Sequence, residues 1–285
     1  MGRYTGPKGR RPLRAVLLAL ALLLAVGWFF HGQQNYIQTE TFTLAYPTLP
    51  AAFDGFRVVQ ISDLHGKEFG PGNGKLLREV AEQSPDLIAI TGDLVDDAAQ
   101  FSMIAPLAEG LAAIAPTYYV TGNHEWAIRE AYTVKSLLRE CGVTVLSNEF
   151  LLLERAGERI VLAGIDDPNG PYDQKTPEAL ADEIRAAYGD AYILLLAHRN
   201  EYHATYSAAG FDLTLAGHAH GGLVRLPFTD GLIDARRKLF PDYTAGWYAL
   251  EGGGEMVVSR GLGNVGYTFR LFNRPHLPVI VLKAE

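Results

Sequence analysis

The chain has a single cysteine, Cys141, among 285 residues. That excludes an intrachain disulfide framework and argues against a structural zinc site built from clustered cysteines. A domain of this length needs no disulfides, so the scarcity leaves the compartment open. Cys141 falls in "VKSLLREC", a stretch with helical periodicity, and reads as a packed core residue. Internal repeats and low-complexity tracts are also missing, which excludes a repeat array. Acidic residues are absent from the start of the chain. None precedes Glu40, whereas Arg3, Lys8, Arg10, Arg11 and Arg14 fall in the first 14 residues.

What is present points to a folded body. The chain is 48% hydrophobic and 11% aromatic, enough for a sizeable core. One large domain fits this length best, with two of ordinary size as the alternative. The net charge is −7; without the five N-terminal bases, 20 basic residues face 32 acidic ones, a balance of −12. So acidic a body suits bound divalent cations and suits nucleic acid poorly, because non-specific binding rests on phosphate neutralisation.

The basic flank, residues 1–14, leads into an uncharged run, Ala15 to Phe30. Its 16 residues span about 24 Å as a helix, against about 30 Å for a hydrocarbon core. Trp28, Phe29 and Phe30 suit the membrane interface, and the arginines suit the cytoplasmic side. A signal anchor, single-pass in the cell membrane with the body extracytoplasmic, is the first reading. A signal peptide cleaved near Ala25-Val26-Gly27 is the alternative, and Arg10-Arg11 has some twin-arginine character. Residues 31–50 read as linker and first strand, and 51–285 as one domain.

From about residue 35, short apolar runs alternate with amphipathic stretches. "FRVVQISD", "PDLIAITGD", "PTYYVTGNHE", "RIVLAGIDD", "AYILLLAHRN" and "FDLTLAGHAHGG" read as strands; "GKLLREVAEQ", "IAPLAEGLAAI" and "TPEALADEIRAAYG" read as helices. This alternation predicts an α/β body with helices covering a sheet. The tail, with "GEMVVSRGLG" and "LPVIVLKA", reads as strands closing that sheet around a surface excursion.

Five predicted strands end in metal-ligand chemistry: Asp63 and His65; Asp93; Asn123 and His124; His198; His218 and His220. Five of the eight histidines sit there, leaving His31, His203 and His276. Ligands bind beyond the carboxyl ends of strands in open α/β sheets. On an extended chain, residues i and i+2 share a face, which would aim Asp63 with His65 and His218 with His220. Carboxylate, imidazole and amide oxygen suit manganese, iron or zinc. Seven ligand-type residues exceed one mononuclear site, so a bridging carboxylate between two ions is expected, with Asp93 the natural choice. Asp166 and Asp167 either orient a ligand histidine or shape a turn, Glu125 either orients a ligand or is only a charge, and Arg236 to Lys238 form a small basic run.

In order, D-x-H, GD, GNH followed by an acid, a separate H and GHxH resemble the calcineurin-like metallophosphoesterase superfamily. "SRGLGNVG" and "NRPHLPVI" are similar to its membrane-associated bacterial phosphodiesterase branch. The resemblance implies a four-layer αββα sandwich. It places one ion on Asp63, His65, Asp93 and His220, and the other on Asp93, Asn123, His198 and His218. His124 would then act on the leaving oxygen or the phosphoryl group, while a hydroxide shared by two divalent ions attacks phosphorus. The expected substrate is a phosphoester, lipid-linked or from the cell envelope. A non-catalytic module on the same fold is the alternative, and a DNA nuclease is disfavoured by the acidic body and the export element.

Overall fold

The computed structural model describes residues 10–222, 224–226, 231–233, 238–264, 266 and 269–285. Arg3 and Lys8 of the basic flank, and Arg236 and Arg237 of the basic run, lie outside the described residues. The chain opens with α1 (Arg10–Asn35) and β1 (Gln38–Tyr46). Then come β2 (Arg57–Ile61), α2 (Gly74–Glu82), β3 (Leu87–Thr91), α3 (Ile104–Ile114), β4 (Thr117–Val120), α4 (Asn123–Ala127), α5 (Ala131–Glu140) and β5 (Thr144–Val145). A second series holds β6 (Glu149–Arg155), β7 (Glu158–Gly164), α6 (Pro177–Tyr188), β8 (Ile193–Arg199), α7 (His203–Ala209) and β9 (Leu213–Gly217). The tail contributes β10 (Val224–Arg225), β11 (Gly231–Ile233), β12 (Gly246–Ala249), β13 (Glu255–Val258) and β14 (His276–Ala284).

Two six-stranded mixed sheets result, ordered β1-β14-β2-β3-β4-β5 and β12-β13-β9-β8-β7-β6. Alternate residues of the central strands face opposite sides, and both sides are buried. In the first sheet, Val58, Leu87 and Ala89 meet Leu162, Leu194, Leu196 and Leu215 of the second. Their neighbours Val59, Ile88 and Ile90 pack under Leu76, Leu107, Leu111 and Val134 of the helices. On the far side, Val161, Ile193 and Leu195 pack against Leu180, Ile184 and Tyr206 of α6 and α7. The layers therefore run helix, sheet, sheet, helix. Strands covered on both faces read as continuous apolar runs, which is why "YILLLA" and "LIAI" show no alternation.

The tail divides in a way local pattern does not reveal. Rather than closing one sheet, β12 and β13 extend the second, while β14 inserts in the first between β1 and β2. It pairs parallel to β1 and antiparallel to β2. At the other terminus, the apolar part of α1 covers Leu13–Asn35 and is exposed over residues 13–28. Its 23 residues correspond to about 35 Å of helix, longer than the uncharged run alone and enough to cross a bilayer. Cys141 caps the end of α5, half-buried against the core.

Candidate metal centre

All seven predicted ligands lie at or just beyond the carboxyl ends of strands from both sheets. β2 and β3 end before Asp63, His65 and Asp93; β4 leads into Asn123 at the start of α4. His198 lies near the end of β8, and His218 and His220 follow β9. The paired motifs do not converge by strand alternation, as the i, i+2 argument expects. Asp63, His65, Asp93, His218 and His220 all have left-handed backbone, with φ between 49° and 66°. Only Gly, Asn, Asp and occasionally His adopt that region readily, and such strain concentrates at functional sites. Turns after the strands, not the strands themselves, aim these side chains.

Two glycines make room for the turns. A Cβ on Gly122 would lie 2.1 Å from Asp93 Oδ1, and one on Gly217 would lie 2.4 Å from Asp63 Oδ2. The backbone must pass this close because its N–H groups serve the carboxylates. His124 N donates to Asp93 Oδ1 over 2.8 Å, and His218 N donates to Asp63 Oδ1 over 3.0 Å. Glu125, fully buried, accepts from the backbone N–H of Leu94 (2.6 Å), Gly122 (2.8 Å) and Asp93 (3.2 Å). It clamps the Asp93 turn to α4. Burial, and then Asp93, push its carboxyl up to about 7.

The side chains gather in two clusters that share Asp93. Asp63, His65, Asp93 and His220 form one, and Asp93, His198 and His218 the other, each with donor atoms within 4.8 Å of one another. His65 Nε2 and His220 Nε2 are 3.1 Å apart, and His220 Nε2 is 3.3 Å from Asp63 Oδ1. Asn123 Oδ1 joins the second cluster, 3.1 Å from His198 Nε2. Asp93 Oδ2 lies centrally, 3.2 Å from His198 Nε2, 3.8 Å from His65 Nε2 and 3.9 Å from His124 Nε2. His218 and His220 thus fall in different clusters.

Whether these residues fit cations is decided by their protons. His198 Nδ1 faces the Thr91 carbonyl at 2.8 Å, and a carbonyl only accepts, so that nitrogen carries the proton. Nε2 then presents a lone pair to Asp93 Oδ2 and Asn123 Oδ1, both acceptors. Three acceptors converge on one point, which requires a second proton or a cation there. Burial disfavours the imidazolium, but Asp93 outweighs it and lifts His198 to about 10. Burial and the neighbouring His198 and Arg199 push His218 down to about 2, and burial with His65 and Arg270 pushes His220 well down. Both are neutral rings with a lone pair to offer. Burial also raises Asp63, a penalty that a bound cation would remove. The donor set fits two divalent cations.

Sequence reasoning missed Asp96. Its Oδ1 accepts from His65 Nδ1 at 2.5 Å and lies 2.8 Å from His124 Nδ1. One carboxylate therefore turns two imidazoles so that each Nε2 faces Asp93. Burial opposes its charge, but those two histidines hold it well below the usual range. The only sequence signal was an acid three residues after Asp93. Asp97 beside it is a cap, accepting from Ala99 N at 2.8 Å. Arg199 was also missed. Asp167 holds its guanidinium through Nε (2.6 Å) and Nη2 (3.2 Å), while Nη1 donates to Glu201 Oε1 over 3.2 Å and lies 3.4 Å from His218 Nε2. Asp167 also shapes a turn, accepting from Asn169 N at 2.9 Å. Asp166 is a buried partner of Lys135 at 2.6 Å and does not reach the clusters directly.

Of the remaining histidines, His276 is buried, 3.3 Å from Glu40, and His203 stacks on Tyr243. His31 is exposed on α1.

Residues 56–222 match the family model of the calcineurin-like phosphoesterases. The chain is 29% identical to the metallophosphoesterase YkuE of Bacillus subtilis (strain 168), covering 94% of each chain. It is 27% identical to the phosphodiesterase YaeI of Escherichia coli (strain K12), covering 96% of this chain and 98% of that one. Among solved structures, the NAD nucleotidase of Haemophilus influenzae superposes with a TM-score of 0.50 at 18% identity. That match covers 73% of this chain and half the length of the nucleotidase, and it speaks for the fold alone. With its matched core spanning all five motifs, the chain belongs to the calcineurin-like phosphoesterase family.

Proposed function

We propose that this metal-dependent phosphoesterase is a phosphodiesterase acting on a lipid-linked or cell-envelope phosphoester. Asp63, His65, Asp93 and His220 would hold one divalent cation, and Asp93, Asn123, His198 and His218 the second. Manganese, iron and zinc all suit such a donor set. The observation that carries the reading is the meeting of His198 Nε2, Asp93 Oδ2 and Asn123 Oδ1 within 3.2 Å, with the Nδ1 proton already committed to Thr91. When bound, a pair of divalent ions supplies Lewis acidity for phosphoryl oxygens and lowers the pKa of water.

The chain's own part is orientation and proton supply. Asp93, fixed by the His124 amide and by Glu125, keeps Oδ2 pointed at both clusters. His124 is accessible, with 27% of its side chain exposed. Burial opposes its charge, but Asp96 and Asp93 outweigh that and raise it above the ordinary histidine value. Its Nε2 therefore keeps a proton to higher pH than that of an ordinary histidine and is placed to give it to a leaving alkoxide, a role worth about 10²–10⁴-fold in rate. Arg199 stands beside His218 with its charge already matched by Asp167 and Glu201.

The preference for diesters is supported by the likeness to the phosphodiesterase YaeI, and for a membrane-associated substrate by the exposed apolar α1. The arginines ahead of the uncharged run Ala15 to Phe30 support a body outside the cytoplasmic membrane. Purified chain with added manganese should hydrolyse bis(p-nitrophenyl) phosphate faster than the monoester, and a panel of lipid phosphodiesters would then define the substrate. His124→Ala should keep its metal content and lose rate. A chain holding two ions yet inert on every ester would refute catalysis and leave a binding module.

A further inference from the structure

We propose that the face of the body beside the end of α1 is a membrane-embedding rim. Phe269, Phe272, Leu239 and Phe240 would lie in the interfacial layer of the leaflet that α1 enters, so that the metal centre works against the lipid surface. The proposal deepens the membrane-associated reading above and rests on α1 being retained as an anchor.

The first observation is that α1 ends docked on the body. The Phe29 ring lies 5.6 Å from Phe272 and the Phe30 ring 5.3 Å from Phe269. One turn on, Gln34 Nε2 donates to Arg270 O over 2.7 Å, Asn264 Nδ2 donates to Gln34 Oε1 over 3.0 Å, and Lys67 Nζ donates to Gln34 O. Residues 13–28 are exposed. The helix thus leaves the body at Phe29 and Phe30, and these contacts set the height of the body above the bilayer.

The second observation is what surrounds that exit point. Although they meet α1, Phe269 and Phe272 remain 49% and 44% exposed, and Leu239 and Phe240 are 64% and 73% exposed. Backbone bonds tie these positions into one surface. Arg225 N donates to Leu271 O, β10 pairs with β11, Ile233 bridges Leu239, and Phe240 N donates to Leu232 O. Phe240 and Phe272 also have φ of 49° and 50°, a region that bulky residues rarely adopt. The fold therefore holds one strained aromatic, Phe272, outward beside a membrane helix and a second, Phe240, outward on the strand pair bonded to the same segment; aromatic rings favour the lipid–water boundary. Exposed apolar patches of this kind mark interaction surfaces.

The third observation links rim and chemistry. The segment that carries Phe269 and Phe272 also touches the metal ligands: Gly263 N donates to Asp63 O over 2.7 Å, and Asn273 Nδ2 donates to His220 O over 2.7 Å. A rim seated in lipid would bring the first cluster to headgroup level, within reach of a phosphoester whose tails stay in the bilayer.

The test uses the full chain in vesicles of phosphatidylcholine and phosphatidylglycerol doped with a lipid carrying a diazirine high on the acyl chain. Mass spectrometry of the wild-type protein should find lipid adducts in α1, in 238–241 and in 269–273, and none around fully exposed Tyr172. In parallel, a Cys141→Ser background carrying Leu20→Cys, Phe240→Cys, Phe269→Cys or Tyr172→Cys is labelled with a fluorophore. Brominated lipid should quench the first three labels and spare the fourth. Adducts and quenching in α1 with a silent rim would overturn the rim and leave the anchor standing. A silent α1 would overturn the anchor and the rim with it. Self-quenching of the Phe240→Cys label that grows with the fraction of chains labelled, without quenching by brominated lipid, would put a second copy there and also overturn the proposal.

Discussion

Replacing Asp96 by Asn isolates the residue that local pattern concealed. Asp96 Oδ1 serves His65 Nδ1 at 2.5 Å and His124 Nδ1 at 2.8 Å. Asn keeps the shape and one acceptor oxygen but removes the charge. Loss of a partner that orients a ligand histidine costs about 10–100-fold in activity or metal affinity. That is about 1.4–2.8 kcal/mol at about 1.4 kcal/mol per tenfold, close to the ~1.5–3 kcal/mol of one hydrogen bond to a charged group. The two estimates agree, so we expect a 10–100-fold fall in kcat on bis(p-nitrophenyl) phosphate. The pH dependence supplies a second readout. Burial depresses His124, and Asp96 is the first of the groups that raise it. As a proton donor His124 works below its pKa, so activity falls as pH rises through that value. Without the Asp96 charge the pKa drops and the basic limb of the profile moves to lower pH. Circular dichroism should be unchanged, because the Asp96 side chain is 25% exposed. A variant with wild-type kcat and an unmoved basic limb would show that Asp96 does not position these histidines.

Asp93→Ala removes the carboxylate shared by both clusters, and hydrolysis should vanish together with at least one bound ion; full activity with two ions by elemental analysis would refute the shared role. Cation binding should release a proton, because metal-free His198, lifted from 6.5 to about 10, carries one where the cation would sit. Manganese affinity should therefore rise with pH between those values, and calorimetry in buffers of different ionisation heat should detect the proton. Binding that is independent of both pH and buffer would refute it. By the same linkage, the His198–Asp93 pair stabilises the metal-free fold fully below pH 6.5 and loses that effect as pH rises through about 10. Melting of the chelated protein should fall across this window more steeply than that of the loaded protein. Lys135→Ala strands the buried Asp166 carboxylate and should destabilise the fold by about 3–5 kcal/mol, read by denaturant titration, with metal content unchanged.

The chain's own pattern determined a good deal. Continuous apolar runs such as "YILLLA", each ending in Asp, Asn or His, specify strands buried on both faces with polar groups at their carboxyl ends. That is enough for the α/β class, and the five motifs in order suffice for the family. The arginines ahead of an uncharged helix are equally local. Tertiary structure decided the rest. β14 lies between β1 and β2 because of pairings across more than 200 residues, which no window of sequence contains. Asp63, His65, His218 and His220 aim inward through left-handed turns, and those turns persist only because Gly122 and Gly217 let neighbouring backbone approach the carboxylates. Asp96 and Asp97 are the same residue type side by side, yet one orients two histidines and the other caps a helical turn. Sequence carries periodicity and residue chemistry, both short-range quantities. Which carboxylate meets which imidazole is settled by packing two sheets face to face, and that is a property of the whole fold.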